Sequence, residues 1–198
     1  GTSELHRMAI RFIDSDGEVF QWSSRVQITQ EGWHTHSIPI APDNFIVSWG
    51  GKPENKGKID GQVQFVSLTF DFDGRVKPAD DAAKRRIYFD NIDIKLPQAK
   101  ASPTTDSQAL ATQLQTLTLE NFELGNQWEV YKPQDFHANS KTSESPQRQG
   151  KSLEVNWDLP RAKYFEVYSK QKMAIEDFDL STKPYHATAT MDIYSPGT

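Results

Sequence analysis

Short segments in which apolar and polar residues alternate recur throughout the chain. The clearest are Leu5–Asp14, Gln62–Asp73, Lys151–Trp157 and His186–Tyr194. A period of two places every second side chain on the same face of a β-strand, so each segment predicts a half-buried strand. Turn sequences such as Asp14-Ser-Asp-Gly17 separate the segments. Many short strands with turns between them are typical of all-β sandwiches and jelly rolls, and we expect a jelly-roll β-sandwich.

Composition and charge exclude several classes of function. The chain has 198 residues, a formal net charge of −5 and no cysteine. Lysine and arginine are spread along it, so we expect neither a nucleic-acid partner nor a membrane partner. The absence of cysteine excludes disulfides, thiolate zinc sites and cysteine nucleophiles.

One stretch differs in kind from the rest. Residues 98–116 contain no aromatic residue and many small or polar ones, which is the composition of a linker. A short helix over Ser107–Gln115 is an alternative, since Leu110 and Leu114 are four residues apart. The linker separates residues 1–97 from residues 117–198, and both parts are rich in predicted strands.

Several motifs resemble those of jelly-roll carbohydrate-binding modules that accompany xylanases, glucanases and agarases. Asn121-Phe-Glu-Leu-Gly125 and Gln149-Gly-Lys-Ser-Leu-Glu-Val155 resemble the opening of such modules. The turn Asp14–Gly17 and the strand Gly32–Ile40 resemble middle segments, and Tyr88-Phe-Asp-Asn-Ile-Asp-Ile94 resembles the final strand. The resemblance therefore implies an all-β jelly roll whose halves occur in permuted order.

The permuted order leaves several arrangements open. Residues 1–97 would be the second half of the module and residues 117–198 the first half. The halves could assemble within one chain as a circular permutant, or two chains could exchange halves in a swapped homodimer. Two separate half-domains would expose unpaired sheet edges, which ranks that arrangement last. We expect the strand Arg86–Pro97 to pair with Leu117–Glu123, and residues 5–14 to neighbour residues 186–194 or to continue from them.

The resemblance also implies a function. We expect a non-catalytic carbohydrate-binding module of a secreted or cell-surface bacterial enzyme that degrades polysaccharides, with a marine galactan such as agarose as a candidate ligand. The alternative is a structural or interaction sandwich that packs on a catalytic domain and has no affinity for sugars. A small β-sandwich lyase or hydrolase ranks third, because a fold of this kind does not fix its function.

Sugar binding requires flat aromatic faces and polar side chains that satisfy hydroxyl groups. Trp49 borders a polar loop rich in glycine and is the leading candidate for stacking, whereas we expect Trp33 and Trp157 in the core. The candidate sugar-binding residues are Trp49, Trp22, Asn55, Lys52, Arg11, Gln21 and His186. For Trp22 a place in the core is the competing expectation, because it shares a strand face with Phe20.

The resemblance implies a structural calcium ion between the opening and closing strands. Carried over by position, Asp90 and Glu123 would supply carboxylates, and the Gln149–Lys151 turn would supply backbone carbonyls. Such a set of hard oxygen ligands suits Ca²⁺. Hydrogen bonding at a turn or strand end is an equally good expectation for Asp90.

Overall fold

A computed structural model describes most of the chain. The described residues are 5–26, 31–41, 45–59, 63–72, 85–97, 114–123, 128–131, 138–157, 164–174 and 187–196. Their regular structure is β-strand, apart from a single 3-10 turn at Pro53–Asn55. The described residues include no helix that is long and apolar enough to span a membrane.

Twelve strands fall in these ranges, and four of them coincide with the clearest segments of alternating polarity. They are β1 (Leu5–Ile13), β2 (Glu18–Arg25), β3 (Gly32–Ile40), β4 (Phe45–Gly50), β5 (Gln64–Phe72), β6 (Arg85–Pro97), β7 (Leu114–Glu120), β8 (Trp128–Tyr131), β9 (Ala138–Glu144), β10 (Lys151–Trp157), β11 (Tyr164–Ala174) and β12 (Ala187–Ser195). Strand β7 begins at Leu114, so the predicted linker 98–116 extends three residues too far and its last residues are not helical. Residues 98–113 lie outside the described ranges.

The strands form two antiparallel sheets, and the fold is an all-β sandwich as predicted. Sheet A has the order β4-β2-β1-β5-β11-β8. Sheet B has the order β3-β12-β6-β10-β9, with β7 also paired to β6. Strands from both sides of the predicted linker therefore pair with one another in each sheet: β5 with β11 in sheet A, and β6 with β7, β10 and β12 in sheet B.

Strand β6 is the centre of sheet B and changes partner along its length. Its first part pairs with β10 as far as Phe89, and its last part pairs with β7 from Ile92 onward. The expected pairing of Arg86–Pro97 with the strand after the linker is thus confirmed. At the changeover, Asn91 has φ +45°, a conformation that asparagine tolerates better than most residues.

Residues 5–14 and residues 186–194 are not neighbouring strands, so that alternative is wrong, and a continuous path between the two segments stays a prediction. Strand β1 lies in sheet A between β2 and β5, and strand β12 lies in sheet B between β3 and β6. A strand has only two edges to offer, and both edges of each strand are already paired.

The core lies between the sheets and is rich in aromatic side chains. Phe70 of sheet A and Phe89 of sheet B meet with ring centroids 4.9 Å apart, and Trp157 meets Phe165 at 5.6 Å. Each large apolar side chain that is fully buried contributes about 1.5–3 kcal/mol relative to exposure. This core fixes which side of each strand faces outward, and thereby fixes the composition of the outer face of sheet A.

Candidate functional site

The outer face of sheet A carries aromatic residues at its two edges and polar residues between them. Residues that lie opposite one another on neighbouring strands form one continuous row across all six strands. From β4 to β8, the row is Val47, Gln21, Arg11, Ser67, Tyr168 and Glu129. A flat surface of this kind, wide in the direction perpendicular to the strands, can accept an extended ligand.

Three large apolar side chains are exposed among the described residues, and all three lie on this face. Val47 is 43% exposed, Trp49 is 39% exposed and Tyr131 is 54% exposed. Trp49 lies opposite Val19 at one edge of the sheet, and Tyr131 lies opposite Glu166 at the other edge. Five strand spacings separate these edges, or roughly 24 Å at about 4.8 Å for each spacing.

Arg11 lies at the centre of the face and connects its polar groups. Its Nε donates a hydrogen bond to Gln21 Oε1 at 2.8 Å, and its Nη1 forms an ion pair with Glu166 Oε2. Its guanidinium also lies over the Trp49 ring, 4.9 Å from the ring centroid. The side chains of Arg11 and Glu166 are only 15% and 14% exposed, so their charges are fixed in a recessed position.

Small residues on β5 make room for this ion pair. Arg11 belongs to β1 and Glu166 to β11, which flank β5, so the pair crosses over β5. The outward-facing residues beneath it, Ser67 and Thr69, are 0% and 2% exposed. Their hydroxyl oxygens are buried and have no hydrogen-bond partner within the described part of the chain.

A second polar contact orders the β11–β8 edge. The hydroxyl of Tyr168 donates a hydrogen bond to Glu129 Oε2 at 2.5 Å. This hydrogen bond to a carboxylate raises the pKa of Tyr168 above its ordinary value. The hydrogen bond thereby fixes the Tyr168 side chain next to Glu129 within the row of residues described above.

The polar loop after Trp49 is held against the first hairpin. The Glu18 carboxylate is buried and accepts hydrogen bonds from Gly57 N at 2.9 and 3.1 Å. A Cβ at Gly50 would meet Gly17 O at 2.8 Å, so a residue without a side chain is required there. Lys52 is bound to Asp16 Oδ1 at 2.5 Å.

The structure therefore brings together three of the predicted sugar-binding residues, namely Trp49, Arg11 and Gln21. Lys52 is on the adjoining loop. The side chain of Asn55 and the whole of His186 lie outside the part that the structure describes.

Two of the predicted tryptophan positions need correction. Trp22 is fully buried between Phe12 and Phe20, and its Nε1 donates to Ala41 O at 3.2 Å, so its ring cannot stack on a sugar. Trp33, expected in the core, lies on the outer side of sheet B beside Tyr194. The inward-facing residues of its strand are Ile38 and Ile40, and Trp33 is an odd number of residues away from both. Trp157 is buried as expected.

Asp90 and Glu123, the carboxylates predicted to bind calcium, are hydrogen-bonded to other groups of the protein, and the calcium site stays a prediction. Asp90 Oδ1 accepts a hydrogen bond from Asn91 N at 2.8 Å, and Asp90 Oδ2 pairs with Arg148 Nη2 at 2.5 Å. Glu123 Oε1 instead accepts a hydrogen bond from Lys151 N at 2.8 Å. Within the described ranges, no group of three or more histidine or acidic residues could hold a metal ion. Arg148 thus supplies a positive charge at Asp90, where calcium was expected.

Arg148 contacts residues on three strands of sheet B, namely β6, β12 and β3. Its second amino group donates to Asp192 Oδ2 at 3.0 Å, and its guanidinium lies 3.4 Å from the centroid of the Trp33 ring. Burial raises the pKa of Asp90 above its ordinary value, despite the opposing contacts with Asn91 N and Arg148. Burial also acts on Asp192, but hydrogen bonds from Asn91, Thr35 and Arg148 hold the pKa of this carboxyl below its ordinary value.

Sequence reasoning missed several residues of the outer face of sheet A. They are Val47, Ser67, Thr69, Glu129, Tyr131 and Glu166. The alternation of side chains along β11 could have predicted Glu166. It lies two residues from both Tyr164 and Tyr168 and therefore on the same face of the strand. The other residues depend on which strands are neighbours, and no local pattern states that.

Comparisons with known proteins do not place the chain in a family. No family model matches it, and neither a curated protein nor a solved structure matches it. The resemblance to carbohydrate-binding modules therefore rests on the sequence motifs alone.

Proposed function

We propose that the protein is a non-catalytic carbohydrate-binding module whose ligand lies across the outer face of sheet A. The observation that carries the proposal is the placement of the exposed aromatic residues. Trp49 and Tyr131 lie on this face at opposite edges of the sheet, with a row of polar side chains between them. The strands that carry them are five strand spacings apart, roughly 24 Å, and a face of this width suits an oligosaccharide chain better than a single sugar ring.

The chemistry of the face supports this function. Aromatic rings present apolar faces to the C–H groups of a sugar ring. Gln21, Arg11 and Glu166 present amide, guanidinium and carboxylate groups that can donate to or accept from hydroxyl groups. Arg11 forms a hydrogen bond with Gln21 and an ion pair with Glu166, so all three side chains are oriented before a ligand arrives. Such preorganisation reduces the entropic cost of binding.

In this proposal the module belongs to a secreted or cell-surface bacterial enzyme that degrades polysaccharide, and agarose is a candidate ligand. Holding the enzyme on its substrate would raise the effective concentration of cleavable bonds. Residues 1–97 and 117–198 would be the permuted halves of a single jelly roll. A swapped homodimer would use the same strand pairs between two chains, and the molar mass in solution distinguishes the two arrangements.

A structural role is the second candidate, and the same patch supports it. Val47 and Trp49 are exposed neighbours on an edge strand, and exposed apolar patches also mark surfaces that pack against another protein domain. In that case the face would be covered by a catalytic domain and would have no affinity for sugars.

Affinity electrophoresis through gels that contain single polysaccharides tests the proposal. We expect at least one polysaccharide to retard the protein, and Trp49→Ala and Tyr131→Ala each to weaken binding about tenfold, equivalent to about 1.4 kcal/mol. Ser37→Ala, at an exposed position on sheet B, is the control and should bind like the parent protein. If the folded protein is retarded by none of the polysaccharides, the structural role is supported instead. Release of soluble products from the same panel would support an enzyme.

A further inference from the structure

We propose that the outer face of sheet A selects uncharged glycans and rejects sulfated or uronic-acid polysaccharides. This inference rests on the proposed function and adds the class of ligand. It follows from the charged groups that lie between Trp49 and Tyr131.

Among the side chains that the structure describes, the central band of the face, between these two aromatic residues, has more negative than positive charge. Its described charged side chains are Arg11, Glu166 and Glu129. One arginine and two carboxylates give this band a formal charge of −1. Arg7 and Arg25 lie opposite each other toward one end of the strands, and Asp71 lies opposite Arg7 on its other side.

The single cation of the band is already engaged. Arg11 is paired with Glu166 and bonded to Gln21, and its side chain is 15% exposed. A sulfate or carboxylate ligand would have to compete with Glu166 for this guanidinium. Separating this recessed pair would leave the Glu166 carboxylate without its cation, which opposes binding of an anionic ligand.

The two carboxylates, Glu166 and Glu129, favour an uncharged glycan as the ligand. Carboxylate oxygens accept hydrogen bonds from sugar hydroxyls, and a charged acceptor makes a stronger hydrogen bond than a neutral one. The ligand of this face is therefore a donor of hydroxyl groups with no charge of its own. The net negative charge of the described side chains in the band repels anionic chains.

Affinity electrophoresis at two ionic strengths tests the inference, with agarose as the neutral probe and carrageenan and alginate as the sulfated and uronate probes. A panel of neutral β-glucans and xylans extends the neutral arm. We expect the retardation of the protein by neutral polysaccharides to change little between about 0.01 M and 1 M salt. Over this range the Debye length falls from roughly 30 Å to 3 Å. We expect the anionic gels not to retard the parent protein at either ionic strength.

The matched variants change the charge of the band without removing its hydrogen-bonding groups. Glu129→Gln with Glu166→Gln changes the band from −1 to +1, and should create retardation by carrageenan that disappears at high salt. The control, Glu31→Gln with Glu144→Gln, removes the same charge from exposed positions away from sheet A, just before β3 and at the end of β9, and should create none. Glu129→Gln alone, at an edge strand, serves if the double variant does not fold.

Each outcome is decisive. Retardation of the parent protein by an anionic polysaccharide, as strong as by any neutral one and weakened by salt, overturns the selectivity but retains carbohydrate binding. The selectivity is also overturned if the folded double variant still binds neutral polysaccharides but gains no binding to carrageenan. The charge of the band would then not control the choice of ligand. If no polysaccharide retards the folded parent, both the selectivity and the proposed function fail.

Discussion

Arg148 is expected to be the most important charged residue for the stability of sheet B. It lies in the β9–β10 turn and contacts Asp90 of β6 and Asp192 of β12. Arg148→Met keeps most of the apolar stem over Trp33 and removes the charge. Asp90, whose side chain is 9% exposed, would then be a buried carboxylate without its cation.

The expected magnitude follows from the exposure of the three side chains. Breaking a fully buried ion pair costs about 3–5 kcal/mol, whereas an exposed pair contributes roughly 0–1 kcal/mol. The side chain of Arg148 is 26% exposed and that of Asp192 is 22% exposed, so screening reduces the effect. We expect a loss of about 2–3 kcal/mol, or roughly 4–12 °C in Tm at about 2–4 °C per kcal/mol for a chain of this length.

Urea unfolding followed by tryptophan fluorescence measures this loss, and a second arginine on the same sheet provides the control. Arg86 has a side chain that is 53% exposed, and its Nε lies 3.4 Å from Glu154 Oε1. Glu154 keeps a second cation, Lys141, with Nζ 3.5 Å from its Oε2, so Arg86→Met should cost no more than about 1 kcal/mol. Asp90→Asn combined with Arg148→Met should lose less stability than the sum of the single variants, because the carboxylate that needs compensation is gone. A loss below about 0.5 kcal/mol for Arg148→Met would refute the reasoning.

The pH dependence of the same variant has a definite sign. Burial already raises the pKa of Asp90 in the folded protein, and removal of Arg148 raises it further. A carboxyl with a raised folded pKa favours folding in its protonated form, so its contribution is present below the unfolded pKa of about 3.9 and is lost as pH rises through the folded pKa. The deficit of Arg148→Met should therefore be large at neutral pH and small near pH 3.

Three further predictions concern stability. Gly50→Ala should cost more than Gly57→Ala in urea unfolding: both glycines have positive φ, but only a Cβ at Gly50 would meet a backbone atom, Gly17 O at 2.8 Å, and equal costs would contradict that contact. Trp22→Ala should cost about 3–5 kcal/mol because it leaves a cavity in the core, and a loss under 1 kcal/mol would show that its ring is not packed as described. A rise in Tm on addition of calcium that is abolished by Asp90→Asn would support the predicted calcium site, and a Tm unchanged by calcium or by a chelator would contradict it.

Local patterns were sufficient to predict most strands but not their contacts. Alternation located β1, β5, β10 and β12, because a strand with one buried face must repeat every two residues. The pairing of β6 with β7 followed from the order of the motifs. The placement of β1 and β12 in different sheets could not be predicted in this way, because packing between distant segments of the chain decides which strands are neighbours.

The same limit applies to the site. Trp49 was identified from its polar loop, and Arg11 and Gln21 from the outward phase of their strands. The contact of Arg11 with Glu166 joins residues 155 positions apart, and no local signal encodes it. Asp90 was interpreted by analogy with a calcium ligand, whereas the turn that carries Arg148 brings a guanidinium to it from 58 positions away.

The most direct test of the central claim is the location of the bound glycan. Amide chemical shifts of the isotope-labelled protein, recorded while an oligosaccharide from a retarding polymer is added, report which strands it contacts. We predict that the largest changes lie at Trp49, Arg11 and Tyr131 on sheet A, and that Trp33 on sheet B does not change. Changes confined to sheet B, or no saturable change at all, would contradict a carbohydrate site on the outer face of sheet A.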